Sequence, residues 1–528
     1  MNAPTFTLRA IEMFERPVVL RLPFRFGVVT LTQCPQAFVR VRIGLSDGRE
    51  ITGAAAEMMA PKWFDKNLAL SNGDNFNQLR DVLHLAREAY LSDAAPASAF
   101  GHFARHHDAH QLVSAARGYN PLLANYGPAL IDRAILDALC RAHGASFYSA
   151  MGRNLAGIGG GGQTSRGTSG GSFHESTHST STTDTAGHAA FNGIDFNRFL
   201  ATLTPAAAIE ARHTVGMVDA ITASDLAAPV NDGLPETLEQ VVAHYGHRYF
   251  KLKVGGQLGT DIARLTAIAA VLDRAAEPYY ASLDGNEQYE NAEQVAELLA
   301  RMRATPALQR LTASTLFVEQ PIARKTALGA DVMASPLGLP VIIDESDATL
   351  DTFVEARERG YTGISSKTCK GIYKSILNAA RCTAWNAEQT AAGKPARYFM
   401  SAEDLTTQAG LSVQQDLALV NLLGITHVER NGHHYVNGMA ALPNTEQRAF
   451  LAVHPDLYEH SHGAVRLKIK HGRIALASLD CAGYASAALP QFAAMQALAR
   501  PPAPVPAGPF SQANAAGTTS AIATRVTS

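Results

Sequence analysis

The chain has 528 residues, with 45 Lys+Arg against 47 Asp+Glu and 46% apolar residues. That apolar content excludes disorder as the dominant state, and a formal charge of -2 gives no global attraction to nucleic acid or to an anionic membrane surface. The length suits two or three domains, or one large barrel with additions.

The N-terminal MNAPTFTLRAIEMFERP places charges where a signal peptide needs an apolar core. No apolar run approaches the roughly 18 residues of a membrane span, so a cytoplasmic protein is the expectation. Five scattered cysteines without a CxxC pair point to a reducing compartment and free thiols. From Phe6 to about Gly53 the chain reads as strands, with an Asp-Gly turn signal at Asp47-Gly48. Helical patterns follow in NQLRDVLHLAREAYL and ALIDRAILDALCRAHG, the second carrying Ile131, Ala134, Ile135 and Ala138 on one face. Residues 1–156 therefore read as an α+β unit.

Residues 157–188 hold 9 Gly, 6 Ser and 7 Thr, too little apolar surface to offset ordering entropy. We read 157–190 as a flexible insertion rather than as a weak metal site built on His174, His178 and His188. From about Ile209 a strand, loop, helix grammar repeats. The strand candidates are RYFKLKVGG, YYASLDGN, TLFVEQP, LPVIIDES, TGISSKT, RYFMSAED and ITHVER. Seven or eight such units predict a parallel sheet closed into a barrel over 191–440. A segment 441–500 follows, and 501–528, with five Pro and a single charge, reads as a disordered tail.

In FKLKVG the pleat sends Phe250, Leu252 and Val254 to one face and Lys251 and Lys253 to the other. In a barrel both lysines point inward; on an edge strand they would be solvated instead. Asp284, Glu319, Asp344 and Lys367 end the following strands, spaced by 31, 35, 25 and 23 residues from Lys253 onward. On a barrel these ends meet at the rim where catalytic residues sit. Three converging carboxylates repel one another unless a cation lies between them, and oxygen-only ligands suit Mg2+ or Mn2+ rather than zinc. Strands four apart in an eight-stranded barrel place Lys253 and Lys367 on opposite sides. A lysine serves as a base only when neighbouring positive charge favours its neutral form, which Lys251 and the divalent ion would supply. The implied chemistry is proton removal from carbon next to a metal-bound carboxylate, with the ion stabilising the enediolate.

FKLKVG, LDGN, FVEQP, IIDES and SSKTCKG, in this order, make the chain resemble the enolase superfamily, in the mandelate racemase/muconate lactonizing enzyme branch. The resemblance implies an α/β protein, a modified TIM (β/α)7-8 barrel under an N-terminal α+β capping domain, with residues after the eighth strand returning to the cap. It implies Asp284, Glu319 and Asp344 as Mg2+ ligands (Mn2+ as the alternative) and Lys253 and Lys367 as the acid/base pair. Lys251 and Glu345 lie nearby, with Asn286 and Gln320 as polar supports. Glu429 falls where relatives hydrogen-bond the substrate carboxylate, a rim salt bridge with Arg430 being the other reading. Glu403 and Asp404 share that ambiguity at the seventh strand end. His433 and His434 read as loop residues. Arg25 and Met58–Trp63 match loops that close over substrate, with a core role for Trp63 as the alternative.

No His–Asp dyad of the racemase type is visible, and lysine at 367 points to the muconate-lactonizing-like subgroup. VERNG replaces the DxD of dipeptide epimerases. The expectation is a Mg2+-dependent isomerase or lyase that takes the α-proton of a small carboxylate: a racemase or epimerase, a cycloisomerase, or a syn-eliminating enzyme. The partner is a small molecule, with neither nucleic acid nor membrane involved, and the resemblance implies a homo-oligomer. The competing readings are a non-catalytic barrel serving as a binding module and a metal-dependent aldolase or hydrolase on an ordinary barrel.

Overall fold

The computed structural model describes residues 3–159, 188–329, 337–405 and 408–501. Most of the 157–190 insertion, including His174 and His178, and nearly all of the 501–528 tail lie outside the described residues. His188 is described, and its Nε2 lies 3.0 Å from Asp108 Oδ1.

Three antiparallel strands open the chain: β1 (Phe6–Phe26), β2 (Val29–Leu45) and β3 (Glu50–Met58). Gly48, at φ 87°, makes the β2–β3 turn signalled by Asp47-Gly48. Helices Asn72–Ser92 and Tyr126–Ala142 pack on this sheet, and Ala99–Ala116 packs against both of them. Ser71 and Asp74 form a reciprocal capping box on the first, which satisfies donors the helix start leaves open. The stripe on 126–142 explains its tight seat on β3. A Cβ built on Gly53 would lie 2.2 Å from Ala138 N and 2.3 Å from Ala134 O, so only glycine facing alanines permits this approach.

Histidines buried in this layer stay neutral. His102 is fully buried, its Nε2 donating to the Phe6 carbonyl at 3.0 Å, and desolvation pulls its pKa down to about 4. The unfolded chain takes up a proton near pH 6.5 that the folded ring refuses until about 4, so this contribution is lost as pH falls through that window. By linkage the loss is about 2 kcal/mol at pH 5. In urea unfolding, the gap in stability between pH 7 and pH 5 is expected to shrink by about that amount in His102→Asn. An unchanged gap would refute the assignment.

The second sheet contains eight parallel strands: β4 (Ala208–Val215), β5 (Tyr249–Lys253), β6 (Tyr280–Asp284), β7 (Thr315–Glu319), β8 (Val341–Ile343), β9 (Gly363–Ser366), β10 (Phe399–Ala402) and β11 (His427–Glu429). Their order is β10-β9-β8-β7-β6-β5-β4-β11, the sequential winding of a barrel, with helices following most strands. Among the described residues the end strands β10 and β11 do not pair. Arg212 spans the seam instead, reaching Ser401 Oγ at 3.0 Å and the Ala402 carbonyl at 2.9 Å on one side and His427 Nδ1 at 2.9 Å on the other. The first strand, β4, is not among the seven strands picked out in the sequence. Its inward positions are Arg212 and Thr214, and His213 lies outward, so apolar alternation is weak there.

A hairpin of β12 (Tyr458–Ser461) and β13 (Ala464–Leu467) follows, then β14 (Arg473–Ala475) against β4, and β15 (Gln496–Ala497) against β1. Tyr484 stacks on Phe147 at 4.0 Å, and Asp137 accepts from the backbone N–H of both Tyr484 and Ala54. Phe191 packs edge-on against Phe100, so residues just before the barrel lie on the N-terminal layer. The molecule is a modified TIM barrel with an N-terminal capping domain. Among the described residues no helix is long and apolar enough to cross a membrane. All five cysteines are free, four of them buried.

Candidate active site

The strand-end rule holds along the rim. Lys253, Asp284, Glu319 and Glu429 are the last residues of β5, β6, β7 and β11, and Asp344, Lys367 and Glu403 each follow directly after β8, β9 and β10. All seven are buried. The pleat turns Lys251 inward with Lys253, as the alternation in FKLKVG requires.

Lys251 is the hub. Its Nζ lies 2.8 Å from Asp284 Oδ2, 3.0 Å from Glu319 Oε2 and 3.1 Å from Glu429 Oε2, and it also contacts Glu403 Oε1. Burial disfavours its ammonium form, yet the surrounding carboxylates outweigh burial and hold its pKa well above the ordinary value. Lys253 donates to Asp284 Oδ2 at 2.5 Å. Lys367 donates to Asp344 Oδ2 at 2.7 Å and to Glu403 Oε2, with the Trp63 ring centroid 4.7 Å away. Lys370 meets Asp344 Oδ1 at 2.8 Å and donates to the Asp344 and Ser365 carbonyls, both at 2.7 Å.

Supporting residues fix these ends. Gln320, at φ 33°, accepts from the backbone N–H of Asp344 at 2.8 Å and of Ser346 at 3.0 Å, steering the exit of β8. Asn286, at φ 40°, donates its side-chain amide to Glu345 Oε1 at 3.1 Å. Non-glycine residues held at positive φ cost about 1–3 kcal/mol each and cluster at functional sites. Burial, then repulsion from Asp344, Glu287 and Asp284, pushes Glu345 up to about 7. Glu319 is raised too, by burial and by the nearby Asp284 and Asp344. Glu429 accepts from Thr214 and from Asn431 Nδ2, and Lys251 keeps it well below the usual carboxylate range despite burial.

The Glu429–Arg430 rim salt bridge does not form. Successive strand residues face opposite ways, and Arg430 turns to Asp404, 3.3 Å away, and to Asp416. Trp63 is buried in the apolar core, the alternative weighed for it, and its ring also lines the cavity at the rim. Phe24, Phe26, Leu31 and Ala60 line the same cavity, about 30 Å³ with Lys253 and Lys367 on its wall, while the Arg25 side chain is exposed. His433 and His434 are buried in a short helix rather than a surface loop.

The donor set suits a hard divalent cation. Carboxyl oxygens of Asp284, Glu319 and Glu403 lie within 4.8 Å of one another; Glu319 Oε1 is buried without a hydrogen-bond partner, and Oε2 meets the Lys251 ammonium. Six carboxyl groups (Asp284, Glu319, Asp344, Glu345, Glu403, Glu429) outnumber four ammonium groups (Lys251, Lys253, Lys367, Lys370) here, with the buried Arg212 guanidinium as a further positive charge. Asp344 of the expected ligand trio leans on Lys367 and Lys370, and Glu403 joins Asp284 and Glu319. The signal for Glu403 lay in its position one residue past the seventh barrel strand.

Residues 233–483 match the family described as enolase C-terminal domain-like. This barrel belongs to the enolase superfamily. Solved structures similar along nearly the whole chain include a mandelate racemase/muconate lactonizing protein from Herpetosiphon aurantiacus, 15% identical, covering 91% of this chain and 98% of that one at TM-score 0.53. A Bradyrhizobium enolase complexed with magnesium and mandelic acid is 15% identical over 89% and 93%, at TM-score 0.53. An Enterococcus faecalis dipeptide epimerase complexed with Mg and L-Leu-L-Tyr is 14% identical over 91% and 99%, at TM-score 0.54. At such identity these likenesses carry the fold. No curated protein matches the sequence.

The enolase-superfamily rim is tied to the cap through Glu57 at the end of β3. Glu57 Oε2 accepts from Arg133 at 3.1 Å and from Thr368 Oγ1, beside Lys367, at 2.9 Å. Arg133 is fully buried, so Glu57→Ala leaves its charge uncompensated. The expected cost is about 3–5 kcal/mol in denaturant unfolding. A loss below about 1 kcal/mol would show that the pair carries little.

Proposed function

We propose that this protein is a divalent-metal-dependent isomerase or lyase that removes the α-proton of a small carboxylate substrate, with Lys253 and Lys367 as the proton-transferring groups. The observation that carries this reading is that both lysines, themselves buried, line one cavity from strands four apart, with acidic oxygens between them. Each lysine takes a proton when neutral and delivers one when charged. Use of both exchanges protons on opposite faces of the α-carbon and gives racemisation or epimerisation; use of one suffices for cycloisomerisation or syn elimination.

Mg2+ is the cation we propose, held by Asp284 and Glu319 with Glu403 or Asp344, and when bound it would supply positive charge to the substrate carboxyl group as the α-proton leaves. Glu403 contacts both Lys251 and Lys367 and so couples the two sides of the site. Phe24, Phe26 and Trp63 line the cavity with apolar rings, which would limit water around a bound substrate and strengthen the charge interactions there. Magnesium with mandelic acid or with a dipeptide in similar folds supports an α-substituted carboxylate as the substrate class. Lysine at 367 supports the muconate-lactonizing-like subgroup.

The test is α-proton exchange in D2O, followed by NMR, across a panel of hydroxy acids, N-acyl amino acids, dipeptides and unsaturated diacids. Exchange with at least one class, abolished by EDTA and restored by Mg2+, is expected. Exchange that persists in EDTA, or none with any class, would overturn the proposal.

A further inference from the structure

A second cluster of ligating side chains lies on the outer face of the barrel, behind β4 and away from the carboxylates. His213 on β4, His247 two residues before β5, and His433 in the helix Gly432–Tyr435 after β11 converge there, all buried. Their ring nitrogens lie within 4.8 Å of one another, and ring centroids are 5.1–5.3 Å apart.

Three features suit these rings to ligation. His247 Nδ1 lies 3.0 Å from the Ala211 carbonyl, which can only accept, so Nδ1 carries the proton and Nε2 keeps its lone pair. That Nε2 is buried and has no hydrogen-bond partner. A backbone carbonyl fixing one ring nitrogen so that the other can ligate is the usual outer support of a metal-bound histidine. His213 Nδ1 and His433 Nε2 are 3.3 Å apart. This is long for a hydrogen bond, but two nitrogens bound at about 2.0–2.1 Å to one tetrahedral ion stand about 3.3–3.4 Å apart. Burial, reinforced by neighbouring imidazoles at His213 and His433, keeps all three rings neutral, the form that binds metal.

We propose that His213, His247 and His433 form a zinc-class site, distinct from the oxygen-lined rim. Imidazole-only donors favour a borderline transition metal over Mg2+. Of the three rings, His433 also lines a cavity of about 20 Å³ with Tyr245, Arg430, Arg466 and Leu467, room for one water. The ion would clasp β11, β4 and the approach to β5 from outside, directly behind Thr214, Lys251 and Glu429.

The test uses untagged full-length protein, stripped with chelator and titrated with Co2+ or Zn2+. The expected result is one equivalent of Co2+ giving tetrahedral or five-coordinate visible bands, which Zn2+ displaces with a rise in Tm. His247→Gln and His433→Gln should each lose the bands, while Asp284→Asn and His188→Ala retain them. Absence of such bands in the wild-type chain, or their persistence in both histidine variants, would overturn the proposal and leave a metal-free packed histidine cluster. Because the wild-type titration is decisive by itself, misfolding of a variant does not rescue the idea.

Discussion

Lys253→Ala and Lys367→Ala are each expected to lower turnover by about 10²–10⁴-fold, the usual worth of a positioned acid or base. The two variants should differ in kind when the reaction inverts the α-carbon. Each lysine serves one face, so each variant would stop net inversion yet still exchange the α-proton of the enantiomer whose base remains. When the reaction needs a single base, one variant loses exchange and the other loses only the steadying of charge. Exchange measured separately on each enantiomer separates these cases. Wild-type exchange rates in both variants would sink the acid/base assignment. The contacts of the two ammonium groups differ: Lys253 has Asp284 alone, whereas Lys367 is shared between Asp344 and Glu403 beneath Trp63.

Lys251→Met is expected to cost the metal-free protein about 3–5 kcal/mol, the price of stripping the counter-charge from buried ions. Four carboxylates contact this single ammonium, and none of them reaches solvent to relieve the repulsion. Excess Mg2+ should recover part of that loss, since a cation among the same oxygens supplies the missing charge. Urea unfolding in EDTA and in Mg2+ measures both effects. Equal stability of variant and wild type in EDTA would show that the carboxylates are neutral and that Lys251 is no hub. Activity is expected to be lost in either condition, because Lys251 also holds Glu429 and Asp284 in place.

Much of the rim was legible because a strand writes its faces into sequence at period two. FKLKVG declared Lys251 and Lys253 inward before any contact was known, and the spacing of Asp284, Glu319, Asp344 and Lys367 declared one strand each. The hairpin at Asp47-Gly48 and the stripe on residues 126–142 were legible for the same reason: the signals are local. β4 was harder. Its inward Arg212 and outward His213 break apolar alternation, because one spans the β10–β11 seam and the other joins a histidine cluster.

The sequence by itself determined the repeated strand and helix units, the order of charges at the strand ends and the facing of both lysines. The tertiary structure decided which oxygens converge. Glu403 reaches Asp284 and Glu319 because the sheet curls round to bring β10 across from β6, while Asp344 is drawn to Lys367 and Lys370. It also decided that Arg430 leaves Glu429 for Asp416, and that His213, His247 and His433 meet. Those outcomes depend on curvature and on competition among buried charges for a few counter-ions, and neither is carried by any local stretch of chain.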